Sequence, residues 1–208
     1  MTSAKIRARV TAVIAVAMLF LTGCANAVSG SGEVAPLAPD AHLNVVGAGS
    51  DPFDQVVENS INDVIDFWQL SYPTVSDGKT FPKLEGKLYS VDGAVERTAA
   101  DLENACLHQE ADAVVDNAFY CQLDDSVAWD RAQRHLVPML AAKYGDFLAT
   151  MVFAHEFGHV VQKRLGLFDK TNISSISLET QADCAAGAFV GWAMRLQAPH
   201  FHPTVDEV

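Results

Sequence analysis

Apolar residues recur at helical spacing between residues 53 and 72. In order, they are Phe53, Val57, Ile61, Val64, Ile65 and Trp68. Asp51 followed by Pro52 is typical of a helix start, because an aspartate side chain can cap free amide groups and proline is tolerated at the first helical position. The spacing therefore predicts an amphipathic helix that ends near Tyr72 and Pro73 and places its aromatic side chains in the core.

The pattern is shorter and weaker between residues 74 and 144. Lys87 to Val91 predicts a short strand, and Ala94 to His108 is compatible with a helix. Ala113 to Tyr120 and Ser126 to Trp129 predict two more strands around a polar turn. Pro138 is expected to break or kink any helix that surrounds it.

Two longer apolar segments in the last third of the chain predict long helices. The first begins with Asp146 as its N-cap and runs to about Leu165, where Gly166 suits the position after a helix end. The second runs from residue 178 to about residue 197, with Ser177 as its cap. These two helices carry the polar residues that matter most below.

The first 24 residues have the pattern of a secretory signal. Lys5, Arg7 and Arg9 precede an apolar run of 11 residues, which is shorter than the roughly 20 that a membrane span requires. Leu21-Thr22-Gly23-Cys24 then resembles the lipobox of bacterial lipoproteins, which implies that Cys24 is diacylated and becomes the N-terminus. An ordinary cleaved signal peptide is the alternative.

This interpretation predicts three parts of the chain. Residues 1–23 are a lipoprotein signal peptide, 24–48 a flexible tether rich in small residues, and 49–208 the folded domain. The protein is then expected at the cell membrane, held by its lipid on the extracytoplasmic face.

Composition favours a globular, acidic protein. Half of the 208 residues are hydrophobic, 19% are charged, and the formal net charge is −12. Without the three basic residues of the signal, 11 basic and 26 acidic residues remain, which gives −15. Such a surface repels phosphate backbones, so nucleic acid is excluded as a partner.

Three cysteines remain in the predicted mature domain. Cys106 and Cys121 enclose about 15 residues, and a disulfide between them would stabilise the fold by roughly 3 kcal/mol. Outside the cytoplasm such a bridge can persist, so we predict this pair, although three cysteines allow other pairings. Cys184 lies in an apolar stretch and is expected to be a buried free thiol.

The segment MVFAHEFGHVVQ, residues 151–162, is an apolar helix interrupted by His155, Glu156 and His159. Residues i and i+4 share a helix face, so the two imidazoles can bind one zinc ion. Glu156 can then reach a water molecule at the metal. This HExxH pattern is the strongest chemical signal in the chain, and the alternative is a histidine pair satisfied within the core.

A third zinc ligand must come from elsewhere, because a hydrolytic zinc site uses three protein ligands and one open position. In a metzincin, glycine and histidine would follow at residues 162 and 165, but glutamine and leucine stand there. Glu179 and Asp183 on the next predicted helix are again i and i+4, and an acidic pair on an apolar helix requires a nearby cation.

HExxH followed by ExxxD on the next helix resembles the gluzincin arrangement. HEFGHVVQ and LETQADCAAGAF, together with NAFYC and its following acidic pair, resemble the bacterial putative neutral zinc metallopeptidase family over about residues 92–192. With the lipobox, the chain is similar to actinobacterial lipoprotein peptidases of this group.

The resemblance implies His155, His159 and Glu179 as zinc ligands and Glu156 as the general base. It implies that Asp183 accepts a hydrogen bond from a ligand imidazole. Asp183 as the ligand, with Glu179 in support, stays an alternative.

The sequence thus predicts an α+β, zincin-like fold that is mainly helical, with a small sheet packed on the HExxH helix. The predicted function is that of a lipid-anchored zinc metallopeptidase, which hydrolyses peptide or protein substrates with a metal-activated water. A non-catalytic surface lipoprotein that keeps zinc for structure or binding is the alternative, and metal capture is a third. His200, His202, Tyr120 and Tyr144 are candidates for stabilising the oxyanion.

Overall fold

The computed structural model describes residues 36–49 and 51–204, and this part of the chain is a mixed α+β fold. The strands are β1 (Val45–Val46), β2 (Leu88–Val91), β3 (Ala118–Cys121) and β4 (Ser126–Asp130). The α-helices are α1 (Pro52–Val75), α2 (Ala105–Gln109), α3 (Leu136–Tyr144), α4 (Asp146–Arg164) and α5 (Ser175–Ala193), and a short 3₁₀ helix spans Asp101–Glu103. The HExxH helix is α4, and the acidic pair lies on α5.

The four strands form one sheet in the order β1-β2-β4-β3. β1, β2 and β4 are parallel, and β3 runs antiparallel to β4 with Ala118 opposite Trp129 and Cys121 opposite Ser126. Every residue of β2 and β4 is buried, as expected for parallel strands covered on both faces. β3 is the terminal strand of the sheet within the described residues.

Helices cover one face of the sheet and shorter segments cover the other. On the first face Phe153 of α4 packs edge-on against Trp129 of β4, with ring centroids 5.7 Å apart. On the second face, Leu107 of α2 and Val114 pack against side chains of β2 and β4 in a smaller hydrophobic cluster. Helix α4 contacts α1, α3, α5 and β3, so it lies at the centre of the fold.

Helix α1 extends three residues beyond its predicted end. The Asp51 side chain accepts from the Phe53 amide at 2.8 Å, as the capping pattern predicts. The helix continues to Val75 with Pro73 in its last turn, where the missing proline amide removes only one hydrogen bond. Tyr72 remains buried there and packs on Phe81.

The predicted helix over residues 94–108 is wrong. Residues 94–100 and residue 104 form turns, bends or irregular backbone, and helical structure is confined to the 3₁₀ helix and to the five residues of α2. Local side chains compete for the backbone: Asp101 accepts from the Thr98 amide at 2.7 Å, and Asn104 accepts from the amides of Cys106 and Leu107 at 3.0 Å. These hydrogen bonds favour two short helical segments over a single long helix.

The strand predicted at residues 113–120 begins only at Ala118. Residues 111–116 form turns, and Asp116 has a φ of +56°, which an extended strand does not permit. Pro138 does not break α3, because it lies in the first turn, where its missing amide has no partner to lose.

The starts of α4 and α5 also differ from the prediction. Gly145 has a φ of +100° and separates α3 from α4, so Asp146 is the first residue of α4 rather than its cap. Helix α5 is capped by Ser174 rather than Ser177, and it ends at Ala193, just before Leu196 adopts a φ of +57°.

The described part of the predicted tether differs from a free linker. The Ala38 amide donates to the Pro199 carbonyl at 2.8 Å, the Leu43 amide donates to Glu58 at 2.6 Å, and β1 joins the sheet. Residues 1–35, with the predicted signal peptide and Cys24, lie outside the described residues. Over residues 36–49 and 51–204, none of the helices has the length and apolar character needed to cross a bilayer.

The structure joins Cys106 and Cys121 in a disulfide with a Cα–Cα distance of 5.9 Å. It ties α2 to the end of β3. Cys184 is free but exposed, contrary to the prediction of a buried thiol. The core face of α5 is formed by Ala182, Ala186 and Phe189, whereas Cys184 lies on the exposed face. The apolar composition of the segment alone could not reveal which face is exposed.

Candidate metal centre

Three side chains from α4 and α5 converge on one point. His155 and His159 project from successive turns of α4, and Glu179 faces them from α5. Oε2 of Glu179 lies 3.2 Å from Nε2 of His155 and 3.4 Å from Nε2 of His159. Ligands about 2.0–2.1 Å from a tetrahedral zinc ion are separated by about 3.4 Å, so this donor set fits zinc.

Both imidazoles present Nε2 to this point because Nδ1 is engaged elsewhere. Nδ1 of His155 lies 2.9 Å from Oδ1 of Asp183, and Nδ1 of His159 lies 2.9 Å from Oε1 of Gln162. Each acceptor is an oxygen atom, so Nδ1 is assigned as the donor, and in the neutral form of each imidazole Nε2 then has the free lone pair that a metal requires. Asp183 therefore orients the imidazole of His155, and its carboxylate lies on the side of that ring opposite to Nε2.

Gln162 is a site residue whose role the sequence analysis missed. It is 3% exposed, and its Nε2 donates to the Leu178 carbonyl at 2.6 Å. That bond fixes the amide orientation, because a carbonyl can only accept, and so directs Oε1 to His159. Gln162 thus links one ligand to the turn of α5 that precedes Glu179. Its position three residues after His159, on the same helix face, was the available signal.

Helices α4 and α5 contact each other backbone to backbone beside the ligands. A Cβ atom added to Gly158 would lie 2.8 Å from the Cα atom of Ala182, which is closer than packed carbon atoms approach. Gly158 lies between the two ligand histidines, and Ala182 lies between Glu179 and Asp183. The glycine in the HExxH segment therefore allows the two ligand-bearing helices to meet.

Glu156 lies behind the ligands, is 8% exposed and faces strand β3. Its Oε2 accepts a hydrogen bond of 2.9 Å from the Tyr120 amide. Burial raises the pKa of Glu156, and the two neighbouring imidazoles and the Tyr120 amide oppose that rise. A carboxylate whose pKa is raised accepts a proton more readily than an ordinary surface carboxylate does.

A cleft of about 520 Å³ opens over this site. Its lining residues are Asn117, Ala118, Phe119, Tyr120, Gln122, His155, Glu156, His159, Phe168, Ser175, Leu178 and Glu179. The Asp130 amide donates to the Asn117 carbonyl, so the backbone groups of Asn117 point towards β4. In an antiparallel pair, the backbone groups of successive residues point alternately towards the partner strand and away from it. The backbone groups of Ala118 therefore point away from β4 and towards the open side, as the Tyr120 amide does.

Of the four residues predicted as oxyanion candidates, Tyr120 lines the cleft, whereas His200, His202 and Tyr144 do not. His200 contacts Asp63 of α1 through Nδ1 at 2.5 Å and the Pro39 carbonyl through Nε2 at 3.0 Å. His202 lines a different cavity, near Phe147. Tyr144 is exposed and does not line the cleft, and Tyr120 donates its hydroxyl to Asp125 at 2.6 Å.

Comparisons with known proteins agree with this site. A sequence profile of the family described as putative neutral zinc metallopeptidase matches residues 99–206, which is more than half of the chain and includes the ligands, Glu156 and the disulfide. No solved structure matches the chain.

The curated relatives are uncharacterized proteins. Rv2575 of Mycobacterium tuberculosis (strain H37Rv) is 30% identical over 102 residues, which cover 43% of this chain and 35% of the relative. YpfJ of Escherichia coli K12 is 36% identical over 91 residues, or 38% of this chain and 31% of the relative. The chain thus spans about a third of the length of the curated relatives it matches. Because the family profile covers more than half of the chain, the protein belongs to the putative neutral zinc metallopeptidase family.

Proposed function

We propose that this protein is a zinc-dependent metallopeptidase with a zincin-like arrangement of sheet and helices. The observation that carries the proposal is the convergence of two imidazole nitrogens on one carboxylate oxygen, at 3.2 and 3.4 Å, beside the buried carboxyl group of Glu156. His155, His159 and Glu179 would hold the ion. When bound, zinc acts as a Lewis acid that lowers the pKa of a water molecule and polarises the substrate carbonyl.

The residues of the chain then have separate tasks. Glu156 accepts the proton of the attacking water and returns it to the leaving amine, while the Tyr120 amide holds its carboxylate in place. Asp183 and Gln162 keep both imidazoles in the tautomer that binds metal. The open edge of β3 supports binding of an extended peptide, because its outward backbone groups can pair with the backbone of a substrate.

Bound metal is the first test of this proposal. The purified protein should contain about one zinc ion per chain, and His155→Ala should lose most of it, because two ligands bind zinc far more weakly than three. His108→Ala removes an exposed histidine outside the site and should keep the zinc. Metal content is measured by elemental analysis beside hydrolysis of a peptide library. A folded protein without zinc would contradict the proposal.

We further propose that a lipid on Cys24 holds the protein at the cell membrane, on its extracytoplasmic face. The support is the sequence alone: a basic start, an apolar run and a small residue before the cysteine. Cys24→Ala should move the protein from the membrane fraction to the soluble fraction. Two results together would contradict the lipid anchor. The variant would stay in the membrane fraction, and the wild-type protein would incorporate no labelled fatty acid.

A further inference from the structure

The turn between β3 and β4 holds a carboxylate that binds three other parts of the fold. Asp125 is nearly buried and accepts two hydrogen bonds from Arg164, at 2.8 and 2.6 Å, one from the Tyr120 hydroxyl at 2.6 Å and one from the Glu85 amide at 2.7 Å. Arg164 is the last residue of α4, the helix that carries Glu156. The turn of the hairpin is therefore fixed to the end of the active-site helix.

Strand β3 consequently contacts α4 at two separate places. At one, the Tyr120 amide donates to Glu156; at the other, the Tyr120 hydroxyl reaches Arg164 through Asp125. Glu156 and Arg164 are eight residues apart, which is about 12 Å along a helix. Two attachments at that separation prevent the strand from sliding or rotating along α4, whereas one attachment would not.

We propose that Asp125 and Arg164 are positioning residues for Glu156, acting through Tyr120 by fixing strand β3 against α4 so that the Tyr120 amide stays aimed at the Glu156 carboxylate. This inference rests on the proposed peptidase function. Neither residue lines the cleft, so the role proposed for them requires no contact with the substrate. Asp125 and Arg164 carry opposite charges and form an ion pair, so together they add little net charge near Glu156. Their proposed effect on Glu156 therefore comes from the position of β3 and not from electrostatics.

The chemistry depends on this geometry. A general base must lie within hydrogen-bond reach of the proton it accepts, and misplacement by about 1 Å can cost up to a hundredfold in rate. Among the described residues, the Tyr120 amide is the one hydrogen-bond donor to the Glu156 carboxylate. Movement of the strand would therefore release the carboxylate while leaving the zinc ligands, which lie on α4 and α5, unchanged.

The test uses two variants of the full chain. Tyr120→Phe keeps the ring and the amide but removes the hydroxyl, and Arg164→Lys keeps the charge but loses the two-pronged contact. We expect kcat to fall about tenfold in each, with KM within about twofold and with unchanged zinc content, as suits a misaligned base. Hydrogen exchange of the Tyr120 amide should accelerate in both variants by at least a similar factor.

The control is His200→Gln, which weakens another buried pair, the one between His200 and Asp63 of α1, and neither of these residues lines the cleft. It should lower the melting temperature but leave kcat and exchange of the Tyr120 amide unchanged. The inference is overturned if this control reduces kcat as much as the two variants, or if Tyr120 exchange is unaltered in them. A wild-type protein without hydrolytic activity would overturn the peptidase proposal instead, and the exchange measurement would still report on the strand.

Discussion

Replacing Glu156 by glutamine should reduce kcat for peptide hydrolysis by about a thousandfold while the protein still binds one zinc ion per chain. Glutamine has nearly the same shape, and its carbonyl oxygen can still accept the hydrogen bond from the Tyr120 amide. It cannot accept a proton from the attacking water, however. Because Glu156 is not among the three converging ligand side chains, zinc affinity should change little.

Steady-state kinetics and elemental analysis on the same samples check this expectation. Gln109→Glu is a suitable control, since it changes an exposed amide on α2, outside the cleft, into a carboxyl group and should keep wild-type kcat within about twofold. Hydrolysis that is unchanged in Glu156→Gln would remove the general base from the mechanism. A wild-type protein that binds zinc but hydrolyses no peptide would favour the non-catalytic lipoprotein.

Replacing Asp130 by alanine should lower the free energy of unfolding by about 3–5 kcal/mol, because it removes a buried carboxylate and leaves its backbone amide donors without an acceptor. Asp130 is completely buried at the end of β4. It accepts from the amides of Gly93, Ala132 and Asp116 at 2.9, 2.8 and 2.9 Å, and it pairs with Nδ1 of His135. One carboxylate thus connects the chain after β2, before β3 and after β4.

Thermal unfolding should detect the loss as a fall in melting temperature of about 10 °C for a domain of this size. Asp112→Ala changes an exposed aspartate in the turns that precede β3 and should stay within about 0.5 kcal/mol of wild type. A comparable loss in both variants would mean that acidic surface charge, and not the buried hydrogen bonds, determines stability.

The stability difference caused by Asp130→Ala should also depend on pH. The hydrogen bond to Asp130 raises the pKa of His135 above its ordinary value. The folded state therefore binds this proton more tightly than the unfolded state, so the contribution is complete below about pH 6.5 and is lost as pH rises through the raised value. Wild type and variant should differ more at about pH 5.5 than at about pH 8.5.

Local sequence patterns predicted the centre of the site because the relative positions of its side chains are set mainly by their spacing along two helices. His155 and His159 share a face of α4 by spacing alone, and Glu179 and Asp183 share a face of α5 in the same way. The long apolar periods of α1 and α4 likewise marked real helices within a few residues of their ends. A small sheet beside α4 was also expected.

Features that depend on distant residues were not predicted. Asp125 and Asp130 looked like ordinary turn or strand-end residues, and only the fold brings Arg164 to one and His135 to the other. The region over residues 94–108 was misread because side chains of Asp101 and Asn104 hydrogen-bond to the backbone more effectively than apolar spacing suggests. The exposure of Cys184 depends on which face of α5 meets α4, which composition does not specify.

The contact between Gly158 and Ala182 has a thermodynamic consequence. Because backbone meets backbone at that point, the separation of the ligand-bearing helices does not depend on flexible side chains or on the ion. The site is preorganised, so little of the metal's binding energy is needed to assemble it. Zinc should therefore stabilise the fold only by mass action, in proportion to the logarithm of its free concentration, and chelation should yield an inactive protein that is still folded and can be reloaded.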